Sequence, residues 1–262
     1  MTQHQKPGIT VLPITQATTA TFADLYISNT SLFFIKKGSK RVELSKDKEL
    51  IGNEGDMMVF SPDSIVTMEN RIWSGADYQA IGLIYANELV EQIYPRANQS
   101  DQAPSAQVVS LSSSEQSHIL ETIEQANSDL PLLIQEHRLL EILVWLKSKG
   151  VLMSSARDTS PLGQVRALIE SDLTHPWRSK EVADHFAMSE ATLRRWLAQS
   201  GGNFSSILSN ARLEKGLSLL QTTSFPISQI ALDCGFKTPS HFSDSFKTRF
   251  GIPPKSLRAP KT

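Results

Sequence analysis

The sequence predicts a two-domain α+β protein, with an antiparallel β-domain accompanied by helices at the N-terminus and an all-α domain at the C-terminus. Its 262 residues suffice for two domains that each bury a core of their own. Short apolar runs separated by turn residues occupy 25–86, whereas apolar residues recur at helical spacing from about 114 onward. A pattern of helix, turn and second helix occurs twice near the C-terminus.

Turn residues separate the predicted strands of the N-terminal domain. Leu32–Ile35 is followed by Lys36, Lys37 and Gly38, and Met57–Phe60 is followed by a Ser-Pro-Asp turn. Short strands at this spacing are typical of a small antiparallel barrel or sandwich. We assign residues 1–110 to this domain, and we expect 97–117, which is rich in Ser, Gln, Ala and Pro, to form a loop.

Residues 111–153 are expected to form a pair of helices, the second of which is apolar on more than one side. A helix of this kind must be covered on several faces. It either packs only on its own domain or also pairs with the same helix of a second subunit. For a homodimer, the candidate contact residues are Leu139, Ile142, Leu143, Trp145 and Leu146. The polar stretch 154–160 is expected to be the interdomain linker.

The C-terminal domain, 161–262, is expected to contain seven helices. Two helix-turn-helix units, at about 179–199 and 227–250, flank a central helix that begins at Asn203 or Phe204. The central helix carries Arg212, which we expect to be a buried or half-buried ion-pair partner rather than a DNA contact.

The two units align residue by residue. The first copy runs from Val182 to Leu197 and the second from Ile230 to Phe246. Matching Ala183 with Ala231 brings Leu193 onto Phe242 and Leu197 onto Phe246, with one additional residue in the second copy. A repeated helix-turn-helix indicates a DNA-binding protein.

Charge is distributed unevenly between the domains. From Pro161 onward the chain has 13 Lys and Arg against 8 Asp and Glu, whereas the part before it has 13 against 19. This asymmetry indicates a polyanion partner for the C-terminal domain. Cys234 is the single cysteine and is expected to be buried. Because no secretory signal or membrane-spanning stretch is recognisable, we expect a cytoplasmic protein without a membrane partner.

The second helix of the first unit has the residue types that a reading helix requires. Leu193 and Leu197 are expected to face inward, so that basic and small residues face outward near the helix start. Ser189 is the predicted N-cap and a phosphate contact. The candidate DNA-contacting residues of this unit are Ser189, Ala191, Thr192, Arg194 and Arg195.

The second unit is expected to read DNA less specifically. Thr238 followed by Pro239 is a favourable helix start, and Phe242, Phe246 and Phe250 mark the inward side. The candidate DNA-contacting residues are Lys237, Thr238, Ser240, His241, Asp244 and Lys247. Asp244 repels phosphate unless a base amine or a lysine pairs with it, so this unit is expected mainly to position the protein.

The region from Trp177 to Arg258 resembles the AraC/XylS family of transcription regulators. The resemblance is carried by motifs in matching order, among them Val182-Ala183, Gly202-Asn203-Phe204, Ile227 to Ala231, Gly235-Phe236 and Phe250-Gly251. It implies two units in successive major grooves of double-stranded DNA, RNA polymerase as a partner, and a cupin-like, ligand-sensing barrel at the N-terminus. We expect an activator; a repressor, or an antagonist that binds another regulator through the helix around Trp145, is the alternative.

An enzymatic barrel is the third alternative, and the sequence argues against it. Metal-dependent barrels of the cupin type need clustered histidines, yet all six histidines, at 4, 118, 137, 175, 185 and 241, lie outside 25–86. Phosphate-loop, dinucleotide and zinc-protease motifs are not recognisable. We therefore expect neither catalysis nor a metal or cofactor.

Asp24–Ser28, Leu32–Ile35 and Ile169–Arg178 are similar to the ToxT/Rns/HilD branch of the family, which activates virulence genes. This resemblance implies a long-chain fatty acid as effector, with its carboxylate held by basic side chains. The candidate ligand-binding residues are the apolar and aromatic Phe22, Tyr26, Phe33, Phe60 and Trp73 and the basic Lys36, Lys37, Arg41 and Arg71. The alternative is that these aromatic residues fill the core of a small barrel.

Overall fold

The computed structural model divides the chain into two compact units, Met1–Arg157 and Asp158–Thr262. The structure describes residues 5–6, 8–45, 48–73, 75–95, 103–126, 130–154 and 160–258. Most of the predicted linker, 154–160, lies outside these residues. The first unit contains β-sheets and helices, and the described part of the second is helical. The predicted two-domain α+β fold is therefore confirmed.

Six antiparallel strands form the larger sheet of the first unit. In spatial order they are β1 (Gln5–Lys6), β2 (Ile9–Gln16), β9 (Tyr78–Tyr85), β4 (Thr30–Lys37), β7 (Met57–Phe60) and β10 (Ala106–Val109). The pairing of β2 with β9 runs from Ile9 opposite Tyr85 to Gln16 opposite Tyr78.

Four antiparallel strands form the smaller sheet. In spatial order they are β3 (Ala20–Ile27), β8 (Ser64–Arg71), β5 (Ser39–Ser45) and β6 (Lys48–Gly52). Lys40 on β5 lies opposite Asn70 on β8. Along β8, buried and half-buried residues alternate, as expected for a sheet with one face on a core.

The N-terminal domain is not the closed barrel that the sequence predicts. Among the described residues, no hydrogen-bonded ladder joins the two sheets, so the domain is an open sandwich. The same alternation of residues is compatible with a barrel or a sandwich, because closure depends on which strands meet at the edges. The predicted strand region was also too short: β1 and β2 precede residue 25, and β10 lies in the predicted loop 97–117, where pairing with β7 orders it.

The described residues of the first unit include three α-helices beside the sheets: α1 (Asn87–Ile93), α2 (Ser113–Ala126) and α3 (Leu132–Ser148). The predicted dimer residues do not form an exposed surface. Four of them, Leu139, Ile142, Leu143 and Leu146, are at most 2% exposed and belong to the core of their own domain, and Trp145 is partly buried against it. These four side chains are used within the domain, and a homodimer needs other contacts.

Within 160–258 the second unit contains six α-helices and a final 3-10 turn, one α-helix fewer than the seven helices predicted. They are α4 (Pro161–Ser171), α5 (Ser179–His185), α6 (Glu190–Ala198), α7 (Phe204–Thr222), α8 (Ile227–Asp233), α9 (Pro239–Phe250) and the turn Pro254–Leu257. Helices α4 to α7 share one apolar cluster that includes Val165, Ala183, Leu193 and Ala211. Cys234 is buried, as predicted.

Candidate DNA-binding surface

The first helix-turn-helix unit consists of α5 and α6. Ser189 precedes α6, and its hydroxyl accepts a hydrogen bond of 3.2 Å from the backbone N–H of Thr192, as the sequence predicts for an N-cap. Leu193 is buried beneath the helix, whereas Arg194 and Arg195 are exposed. The helix therefore presents both guanidinium groups to solvent while its opposite side is held in the core.

The second unit consists of α8 and α9. The hydroxyl of Thr238 accepts a hydrogen bond of 3.2 Å from the backbone N–H of His241, and Pro239 occupies the first helical position. The predicted inward side of α9 is confirmed, because its three phenylalanines are buried: Phe242, Phe246 and Phe250. Gly251 ends the helix in the left-handed conformation.

Nearly all residues predicted to contact DNA lie on the outer sides of these two units. The exception is Thr192, which is half-buried and whose hydroxyl lies 2.9 Å from that of Ser189. The exposed residues are Ser189, Ala191, Arg194, Arg195, Lys237, Thr238, Ser240, His241, Asp244 and Lys247. The fold thus provides the access that the prediction requires, and contact with DNA stays a prediction.

The outer sides of α6 and α9 differ in charge. Two exposed arginines lie on α6, whereas the exposed Asp244 lies on α9 three residues before Lys247. None of the ion pairs between described residues includes Asp244. An acidic group without such a partner repels the phosphate backbone, so the geometry agrees with a weaker reading role for α9.

A buried ionic network, which the sequence analysis did not predict, connects α4, α7 and α9. Arg166 on α4 donates hydrogen bonds to Glu214 on α7 and, at 2.7 Å, to Glu170. Arg249 on α9 approaches the second carboxylate oxygen of Glu214 at 3.8 Å and donates to Asn210 at 3.1 Å. Burial alone lowers the pKa of Arg166, but Glu214 and Glu170 outweigh it and raise the pKa, so the guanidinium stays charged.

Replacing Glu214 with alanine is expected to lower the free energy of unfolding by about 3 kcal/mol, because Arg166 then keeps a buried charge without its main partner. The matched control is Glu170→Ala, which removes the more exposed carboxylate bound to the same arginine. It is expected to cost at most about 1 kcal/mol. Urea unfolding of the full chain measures both, and equal losses would contradict a dominant role for Glu214.

Arg212 on α7 binds backbone carbonyl groups in the segment that precedes the first helix-turn-helix unit. It is half-buried, as predicted, but the predicted ion pair is wrong: its guanidinium donates to the carbonyl oxygens of Leu173 at 2.9 Å and His175 at 2.8 Å. Both carbonyls lie between α4 and α5, and Gly235 of the second unit packs against the same place. A neutral partner was not predictable, because the carbonyl positions depend on how α4 ends.

The four basic residues predicted to hold a ligand carboxylate do not converge. Lys36 and Lys37 are exposed at the end of β4. Arg41 pairs with Glu43 and Glu49, each at 2.6 Å, and Arg71 pairs with Glu69. These arginines therefore already have carboxylate partners, and their proposed ligand role is not supported by the structure.

The five predicted lining residues also have different surroundings. Phe22 and Phe60 are buried in the sandwich, and Trp73 is 48% exposed. Phe33 is half-buried and packs edge-on against Phe60. The hydroxyl of Tyr26 donates to Asp63 at 2.7 Å. Phe22 and Phe60 thus favour the alternative of core packing.

Lys40 is a buried lysine that the sequence analysis missed. Its side chain is buried, and burial lowers its pKa to about 7. Lys40 and the buried Val42 are two residues apart on β5, so they share the inner face of the strand. The spacing of two residues between Lys40 and Val42 was the sequence signal that could have identified Lys40 as buried.

The described residues contain neither a metal cluster nor a membrane span. No group of three or more His, Cys, Asp or Glu side chains among them has the arrangement of a metal site. Within the same ranges, each helix is too short or too polar to traverse a lipid bilayer.

Comparisons with known proteins agree with this geometry. Residues 182–260 match the family model described as a helix-turn-helix domain. The transcriptional regulator SirC of Salmonella typhimurium is 27% identical over 255 residues, which cover 89% of this chain and 86% of SirC. The transcriptional activator CsvR of Escherichia coli is 39% identical over 94 residues, 36% of this chain and 35% of CsvR.

A solved structure extends the likeness to the whole chain. Unsaturated fatty acid-bound ToxT of Vibrio cholerae superposes with a TM-score of 0.64 and 18% identity, covering 97% of this chain and 95% of ToxT. At this identity the comparison shows a shared two-domain fold. Together with the matched helix-turn-helix domain, the likeness to these regulators agrees with the resemblance of the chain to the AraC/XylS family.

Proposed function

We propose that the chain is a sequence-specific DNA-binding transcriptional regulator that acts as an activator. The observation that carries the proposal is the pair of capped helices, α6 and α9, which expose polar and basic side chains from one domain. Helices of this kind enter the major groove of DNA. The name of CsvR, a transcriptional activator, supports activation rather than repression.

The two helices are proposed to have different roles in DNA recognition. Arg194 and Arg195 on α6 discriminate between bases, because arginine binds guanine through two hydrogen bonds. Lys237 and Lys247 of the second unit bind phosphates and fix the orientation of the protein. Asp244 limits what α9 adds to specificity.

The N-terminal domain is proposed to modulate DNA binding in response to a fatty-acid-like effector. This is supported by the fold shared with ToxT, which has been solved with an unsaturated fatty acid bound. RNA polymerase and a second copy of the chain are the proposed protein partners. Leu139, Leu143 and Leu146 of α3 are buried in their own domain, so an antagonist role through the helix around Trp145 would have to use the exposed side of α3.

Genome-wide mapping of the binding sites tests the proposal, combined with transcript levels in strains with and without the protein. We expect discrete sites upstream of genes whose transcripts increase when the protein is present. Decreased transcripts would identify a repressor, and binding without sequence preference would contradict the proposed function.

Adding an unsaturated fatty acid to the purified protein is expected to change its affinity for these DNA sites. Unchanged DNA affinity and an unchanged melting temperature at saturating fatty acid would contradict the effector role.

A further inference from the structure

Helix α9 of the second helix-turn-helix unit meets the central helix α7 at two places. Near the start of α9, Phe242 packs at Gly216, where an added Cβ would lie 2.5 Å from the phenylalanine ring. About two turns further along α9, Arg249 reaches Asn210 and Glu214. These two residues are four positions apart and share a side of α7. Helix α9 is therefore held near its start and near its end.

The two contacts restrict different movements of α9. The contact of Phe242 with Gly216 is apolar, and apolar packing has no preferred direction. The Nε of Arg249 donates a hydrogen bond of 3.1 Å to the side-chain oxygen of Asn210, and such a bond weakens steeply when its angle changes. The Nη2 of the same guanidinium lies 3.8 Å from Oε1 of Glu214. The polar contact thus fixes the rotation of α9 about its own axis.

Glu214 extends this constraint to the first helix-turn-helix unit. Its other carboxylate oxygen, Oε2, accepts a hydrogen bond from Arg166 on α4. The side chains of Arg166, Glu214 and Arg249 are 6%, 11% and 17% exposed. Val165 of α4 and Leu193 of α6 belong to one apolar cluster. A continuous series of contacts therefore leads from the reading helix α6 through α4 and α7 to α9.

Stability alone is a poor explanation for charged groups at this position. Apolar residues of similar volume often replace a buried ion pair without loss of stability, and the best-attested use of buried charged groups is to specify register. Register matters on α9, because the exposed Lys247 lies two residues before Arg249. A side chain that contacts a ligand must be held within about 0.5 Å of its productive position.

We propose that Arg249 is a positioning residue for DNA binding. With Asn210 and Glu214 it holds α9 at the rotation that brings Lys247 to the phosphate backbone while α6 occupies its groove. Arg249 acts through α9 rather than on the DNA, because its guanidinium is half-buried and bonded to α7. This inference rests on the proposed DNA-binding function and adds the residues that orient the two units.

A double-mutant cycle on the full chain tests the proposal by fluorescence anisotropy, with a duplex that wild type selects from random DNA. In wild type, Lys247→Ala is expected to weaken binding about fivefold, through the loss of one phosphate contact. In the Arg249→Lys background the same change is expected to cost less than about twofold, since the contact is already lost when α9 is not held in place. Lysine keeps the charge of Arg249 but lacks the planar group that reaches both partners.

Asn210→Ala supplies a second background, because it removes the directed hydrogen bond and leaves every charge in place. It is expected to reduce the cost of Lys247→Ala in the same way. Two controls are matched to these variants. Arg194→Ala on α6 is expected to cost the same in all three backgrounds. Lys215→Ala removes an exposed charge of α7 and is expected to leave the cost of Lys247→Ala unchanged.

The outcomes separate a positioning role from a structural one. Equal costs of Lys247→Ala in wild type, Arg249→Lys and Asn210→Ala would overturn the inference, even where urea unfolding shows the variants to be less stable. No cost of Lys247→Ala in wild type would overturn it too, because α9 would then have no contact to position. Failure of wild type to select a sequence counts against the proposed function alone, since phosphate contacts allow the cycle to be measured on any duplex.

Discussion

The double variant Arg194→Ala, Arg195→Ala is expected to lose at least about 100-fold in affinity for its operator relative to random DNA, with the fold intact. Both side chains are exposed on α6, so their removal leaves the buried side of the helix unchanged. Each arginine that binds a base edge contributes about 1–3 kcal/mol of discrimination. Footprinting and competition with random DNA measure the ratio of the two affinities.

The appropriate control removes two positive charges elsewhere in the same domain. Lys215 on α7 and Lys255 in the final 3-10 turn are exposed and lie outside α6 and α9. Their double alanine variant is expected to weaken all DNA binding through lost charge but to preserve the ratio of operator to random binding. Ser240→Ala with Asp244→Ala is expected to change that ratio less than tenfold. An unchanged ratio in the arginine variant would show that α6 is not the main reading helix.

The variant Gly235→Ala is expected to destabilise the C-terminal domain by about 4 kcal/mol. Gly235 has a φ of 77°, and a Cβ there would lie 2.3 Å from the carbonyl oxygen of Leu173 and 2.8 Å from the Nε of Arg212. The left-handed backbone costs a non-glycine residue about 1–2 kcal/mol, and the overlap with rigid backbone adds about 1–3 kcal/mol. Urea unfolding followed by circular dichroism measures the loss.

Gly251→Ala separates the two contributions. Gly251 has a similar φ of 74°, but a Cβ there has no atom within 4 Å. The free energy of unfolding of this variant is expected to fall by only about 1–2 kcal/mol, because only the left-handed backbone conformation is unfavourable there. Similar losses in both variants would mean that the backbone of Leu173 and the side chain of Arg212 shift easily to accommodate a Cβ at position 235.

The C-terminal domain was predictable from its sequence because most of its signals are local. Ser189 and Thr238 cap helices that begin one residue later, and the spacing of Phe242, Phe246 and Phe250 specifies the buried side of α9. Each of these features depends on residues three or four positions apart. The outward position of Arg194 and Arg195 follows from the same periodicity.

The N-terminal domain was predicted less completely, since its structure depends on pairing between distant segments. β10 forms a strand because it pairs with β7, almost fifty residues earlier in the chain, and the same dependence decides between barrel and sandwich. The basic residues were misjudged for the same reason: Arg71 is paired with Glu69, and Lys40 is inside the sandwich. Neither the ion-pair partner of a side chain nor its burial can be deduced from the residue type alone.

The sequence by itself therefore determined the resemblance to a family, the repeated helix-turn-helix and the residues on its outer sides, because helix periodicity and capping act within one or two turns of the chain. The tertiary structure alone decided that Glu214 joins Arg166 and Arg249. It also decided that one side of α3 packs into the core of its own domain, and that Lys40 faces Tyr78 between two sheets. These relations arise only when elements far apart in the chain pack together, since burial and partner choice are set by contacts across the fold.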